Sequence, residues 1–136
     1  MINIFLKYKS IFYLSNFFLI FYYLYPDSIL GCIIYDDCKL QPYFTPSLIF
    51  SDVGVSFNHL VALLSLSLVG FLTYRKTNNL KKLYIYLLFL SICLEVAHYY
   101  IPERSFEFPD LFGNLIGVII MILFSYLFKK YENSEY

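Results

Sequence analysis

Four long apolar stretches separated by polar breaks organise the chain, at about 10–25, 57–74, 83–101 and 111–128. A helix needs roughly 20 mostly apolar residues to cross the hydrocarbon core of a bilayer, so each stretch is expected to be a transmembrane helix. The first is short, and Lys7 and Lys9 are expected to snorkel at its start. Pro26-Asp27-Ser28 ends it, because proline cannot extend the helical ladder and aspartate and serine favour turns. Pro102 stops the third stretch, and Pro109-Asp110 precedes the fourth as a helix-opening signal. The expected fold is therefore all-α. It is a polytopic membrane bundle of four antiparallel transmembrane helices, forming a single membrane domain over 1–136.

Basic residues set an orientation. Lys7 and Lys9 precede the first stretch, Arg75, Lys76, Lys81 and Lys82 fill the connection between the second and third, and Lys129 and Lys130 follow the fourth. Eight of the ten basic residues thus fall on one side, with Lys39 and Arg104 on the other. The positive-inside rule then predicts that both termini are cytoplasmic. Asp27, Asp36, Asp37, Asp52, Glu103, Glu107 and Asp110 all fall on the opposite, outer side.

Composition narrows the function classes. Hydrophobic residues make up 60% of the chain and charged residues 15%, with a mean hydropathy of +0.63. A soluble domain carries about 25% charged residues, so an ordinary water-soluble globule is excluded. Ten basic residues balance ten acidic ones. Nothing in that balance points to nucleic acid, and the expected partners are membrane lipids. The 15 Tyr and 15 Phe serve as lipid-facing bulk and interfacial anchors, so their stripes carry no functional weight.

The informative residues are polar ones inside or beside the apolar stretches. Glu95 is a carboxylate within a hydrophobic run. A charge there costs about 2.5–3.5 kcal/mol on insertion scales, so such an acid faces a cavity or a partner. His98 lies one turn on and shares its face. Asp110, Asn114 and Gly117 follow i, i+4, i+7 spacing on one stripe of the fourth stretch. Gly113 and Gly117 form a small-xxx-small pair that lets another helix approach closely. Asn58 and His59 open the second stretch, and Arg104 sits in the loop after Pro102. All these groups fall at one level, so Asn58, His59, Glu95, His98, Arg104, Asp110 and Asn114 are expected to line one outward-opening pocket. The plainer reading makes Glu95 and Arg104 a structural ion pair that knits the third and fourth helices.

Other chemistry is weaker. Glu95-x-x-His98 has the carboxylate–histidine spacing of helix-bundle metal proteins, and His59 or Asp110 would be the third ligand. A second Glu-x-x-His is missing, as is His-Glu-x-x-His, so neither a metal nor another cofactor is expected. Cys32 and Cys38, with five residues between them, lie on the outer side where a disulfide could form. Cys93 reads as a small apolar filler within the third helix. Ile29-Leu30-Gly31-Cys32 resembles a lipoprotein cleavage box, but Pro26 and Asp27 interrupt the apolar region before it.

Leu94-Glu95-x-x-His98, Ile101-Pro102-x-Arg104 and Asp110-x-x-x-Asn114-x-x-Gly117, in that order, resemble the signature of the VanZ-like membrane proteins. That signature reads roughly Glu-x-x-Gln, Pro-x-Arg and Asp-x-x-x-Asn-x-x-Gly. Asn58-His59 resembles the family's polar residue followed by His at a span start. The resemblance covers 57–128, and the first stretch matches only as a hydrophobic segment. His98 stands where the family usually has Gln, and Asn58 where an acid is common. The resemblance implies a bacterial cytoplasmic-membrane protein and, through the family's founding member, an association with glycopeptide (teicoplanin) resistance.

Three functions are compatible with these residues. The first is binding of an envelope lipid, lipopeptide or glycopeptide, with Arg104 taking an anionic group and Asp110, Asn114 and Asn58 orienting it. The second is an intramembrane acid–base enzyme acting on a lipid-linked or peptide substrate. Glu95 would be its general base, His98 or His59 the proton shuttle, and Arg104 the stabiliser of negative charge. The third is a structural subunit of a homo- or hetero-oligomer, with Gly113 and Gly117 at the helix contact.

Overall fold

The computed structural model describes residues 2–40 and 54–134. Asp52 and the side chain of Lys7, both counted in the orientation, lie outside the described residues. Among the described residues every regular element is helical: α1 (Ile2–Leu24), α2 (Ile29–Tyr35), α3 (Phe57–Tyr74), α4 (Leu80–His98) and α5 (Phe108–Ser134).

Fewer helices are unambiguous spans than the four apolar stretches suggest. Among the described residues two, α3 and α5, are each long and apolar enough to cross a membrane, and α1 with α2 makes a third if that bent pair is one span. The difference lies in α4. It starts at Leu80 rather than after the basic cluster, so Lys81 and Lys82 are inside the helix at one end and Glu95 near the other. These charges break what would be a continuous apolar segment.

The corner between α1 and α2 follows from its turn residues. Beyond Leu24, Pro26 ends the ladder and the axis bends by 83°. Ser28 caps α2 by accepting a 3.0 Å hydrogen bond from the Gly31 N–H. The chain then doubles back, with the Ser28 N–H donating to Cys38 O at 2.8 Å and a Cys32–Cys38 disulfide closing the loop. Gly31 faces the carbonyls of Leu40 and Asp37 so closely that a Cβ there would overlap them.

The four long helices alternate in direction. Thr73 Oγ1 donates to Tyr8 O at 3.2 Å, which places the start of α1 beside the end of α3. Ser56 N–H donates to Pro109 O at 2.9 Å, which places the starts of α3 and α5 side by side. Phe71 and Phe128 rings meet 5.7 Å apart at their far ends. The start of α1 and the end of α5 therefore lie at one end of the bundle, together with Arg75, Lys76, Lys81 and Lys82.

In lipid, helices gain little from excluding water and associate through close packing. The core reflects this, with Phe12, Leu63, Phe71, Leu87, Leu94, Val118 and Met121 buried between helices. The buried hydroxyls of Ser67 and Ser91 satisfy themselves on Leu63 O at 2.6 Å and Leu87 O at 2.9 Å. The closest approach is α3 against α5. A Cβ on Gly117 would come within 2.5 Å of Leu60 O and 2.9 Å of Leu64 N, and one on Gly113 would overlap Ser56 O. The small-residue pair is thus used within the chain. Cys93, expected as a packing filler, is instead exposed on the outer side of α4.

Candidate functional site

The end of the bundle opposite the basic cluster gathers the polar residues that the sequence singles out. Helix α4 delivers Glu95 and His98 from its last turn and α5 delivers Asp110 and Asn114 from its first two turns. The first turn of α3 supplies Asn58 and His59, and the loop before α5 supplies Arg104. Alternating helix directions bring these positions to one level. The Gly113 and Gly117 contact then draws His59 against Asp110.

Glu95 is fully buried, and His98 and Asn114 nearly so or fully. Glu95 Oε1 accepts a 2.9 Å hydrogen bond from the Glu107 N–H and lies 3.5 Å from His98 Nδ1. Its other oxygen, Oε2, has no hydrogen-bond partner. His98 Nε2 lies 2.9 Å from Tyr23 O. A carbonyl can only accept, so Nε2 carries a hydrogen and Nδ1 faces Glu95. The second pair is His59 Nε2 with Asp110 Oδ2, 3.2 Å apart and partly exposed. His59 Nδ1 and Asn114 Nδ2 are buried without a hydrogen-bond partner.

The ion pair expected between Glu95 and Arg104 is not among the pairs that the described residues form. Arg104 turns instead to the α1–α2 corner, where Nε donates to Tyr25 O and Nη2 to Asp27 O, each at 3.2 Å. The loop delivers it there through Glu103, whose φ of 63° is left-handed. A planar fork suits two neighbouring carbonyls left open where α1 ends.

Tyr23 is the residue that sequence reasoning missed. Its hydroxyl donates to Asn114 Oδ1 at 2.6 Å, and its carbonyl receives His98. Its ring lies 4.9 Å from the His59 ring and 6.0 Å from the His98 ring. With 15 tyrosines in the chain, no pattern marks this one.

One pocket does not collect all seven expected residues. A cavity of about 570 Å³ lies between α1, α2 and α3, its lining including the polar Asn58, His59, His98 and Arg104 and the apolar Leu19, Ile29, Phe57 and Val61. Glu95, Asp110 and Asn114 are not part of its lining. Each touches a residue that does line it: Glu95 lies against His98, Asp110 against His59 and Asn114 against Tyr23.

The family described as VanZ/LLP1 matches residues 5–129, nearly the whole chain. The match takes in α1, which the sequence motifs alone left as an unspecific hydrophobic segment. No curated protein and no solved structure matches the chain.

Proposed function

The chain belongs to the VanZ/LLP1 family, and we propose that it is a multi-pass protein of the bacterial cytoplasmic membrane that binds an amphiphilic envelope molecule. In this reading both termini are cytoplasmic and the polar end of the bundle faces outward. The observation that carries it is the 570 Å³ cavity, whose lining joins apolar side chains, suited to a chain or ring, with the polar groups of Asn58, His59, His98 and Arg104 among others. Cavities of this size and character suit one small ligand. Two of the five N–H donors of Arg104 are held by Tyr25 O and Asp27 O, which fixes the fork at the cavity wall. An anionic headgroup, or the carboxylate of a lipopeptide or glycopeptide, is the ligand chemistry that this group recognises. A role in the envelope or in glycopeptide resistance would follow from such binding.

The acid–base alternative asks Glu95 to reach a substrate. Because Glu95 is not part of the cavity lining, binding is the better-supported reading. The structural-subunit alternative loses its main feature, since Gly113 and Gly117 are packed against α3.

Arg104→Ala is an ambiguous test, because it also uncaps the α1–α2 corner. Val61→Trp is cleaner, since it adds bulk at the cavity lining without removing a hydrogen bond. Thermal unfolding of the purified protein in detergent should shift upward with at least one of phosphatidylglycerol, a polyprenyl phosphate or teicoplanin, and Val61→Trp should diminish that shift. No shift with any of the three, or an undiminished shift in Val61→Trp, would sink the reading.

A further inference from the structure

We propose that His59, Glu95 and Asp110 hold a divalent transition-metal cation of the zinc class. A ring nitrogen of His59 and one carboxylate oxygen each from Glu95 and Asp110 lie within 4.8 Å of one another. The three come from α3, α4 and α5. One imidazole and two carboxylates form a donor set that zinc accepts, at about 2.0–2.2 Å per bond. Ligands around one tetrahedral ion at that length stand roughly 3.3 Å apart. His59 Nε2 and Asp110 Oδ2 are already separated by 3.2 Å, so the remaining contraction falls on Glu95.

Glu95 supplies a second, independent observation. It is fully buried, yet Oε2 has no hydrogen-bond partner while Oε1 is engaged by the Glu107 N–H. An uncompensated carboxylate oxygen in a low-dielectric interior is costly. A cation would take the unpartnered Glu95 oxygen together with the His59 Nε2 lone pair and offset the charge of the two acids as well.

The arrangement differs from what spacing along the chain suggests. His98, one turn after Glu95, is not a ligand, because one ring nitrogen faces Tyr23 O and the other faces Glu95. It is a positioning residue for the Glu95 carboxylate, in the way that metal-ligating groups are commonly held by an outer partner. Three protein ligands leave a fourth position, and His59 lines the cavity. That position would then meet the anionic group of a bound amphiphile. Only this last step rests on the proposed binding function.

The test uses the full chain in detergent, tag removed and chelator-treated, with no amphiphile added. Zn²⁺ is titrated by calorimetry and Co²⁺ by visible absorption. The expected result is about one equivalent bound, with the intense Co²⁺ bands of a four-coordinate site. His59→Gln, Glu95→Gln and Asp110→Asn should each weaken binding by roughly tenfold or more. Zn²⁺ should raise the unfolding temperature of the unsubstituted protein and not that of Asp110→Asn. Absence of saturable binding to the folded, unsubstituted protein overturns the proposal, even if a variant fails to fold. Undiminished binding in all three variants overturns it equally. Neither outcome touches amphiphile binding, which Val61→Trp tests separately.

Discussion

The two ends of the bundle hold similar numbers of polar groups on different physical terms. At the basic end, a cavity of about 460 Å³ is lined by Lys9, Tyr13, Asn16, Tyr74, Lys82 and Tyr86, among others. Its hydrogen bonds, Asn16 Nδ2 to Tyr86 OH at 2.7 Å and Tyr74 OH to Tyr13 OH at 3.3 Å, are exposed. At the other end Glu95, His98 and Asn114 are buried, and each has partners fixed by the fold. Exposed groups exchange one partner for another at little cost, whereas a buried group that loses its partner bears the full desolvation penalty. Polar content alone therefore does not separate a functional site from an interfacial rim. Burial does.

This contrast can be broken in order of decreasing effect. Gly117→Leu should be the most damaging, because it drives a side chain into the α3 backbone at Leu60 and Leu64. A loss of about 3 kcal/mol or more is expected in equilibrium unfolding in mixed detergent micelles, with the polar end separating as α3 and α5 move apart. Retention of full stability would show that the close α3–α5 contact is not needed.

Tyr23→Phe should cost less, about 1–2 kcal/mol. It removes the 2.6 Å hydrogen bond to Asn114, whose Nδ2 already has no partner. The same unfolding measurement checks it, and an unchanged midpoint would mean that water replaces the tyrosine hydroxyl. Tyr86→Phe, the matching deletion at the basic end, should stay within about 0.5 kcal/mol because its bond to Asn16 is exposed. Equal losses for Tyr23→Phe and Tyr86→Phe would erase the distinction between the ends.

Much of the site was legible in the chain because helical spacing places residues on a face. Glu95 and His98 share a turn, and Asp110, Asn114 and Gly117 share a stripe, whatever surrounds them. Proline breaks at Pro26 and Pro102 mark where helices stop for local steric reasons. What could not be read is which face meets which. Tyr23 looks like any other aromatic until α1 is packed against α3 and α4. Arg104 looks like a partner for Glu95, because charge suggests the pair, but the corner after α1 presents two carbonyls nearer to it. Helix α4 itself begins at Leu80, ahead of the apolar run, because Lys81 and Lys82 are good helix formers and extend it.

The sequence by itself determined the helical periodicity, the apolar character, the polar cluster at one level and, through its ordered motifs, the family. These depend on local steric rules and on the preference of apolar side chains for lipid. Tertiary structure alone decided that His59 meets Asp110, that Glu95 keeps one oxygen unpartnered, and that the cavity opens between α1, α2 and α3 without Glu95 in its lining. Such pairings join residues far apart in the chain. They follow from which helix faces can approach closely, and that is set by shape at positions such as Gly113 and Gly117 rather than by any repeat in the sequence.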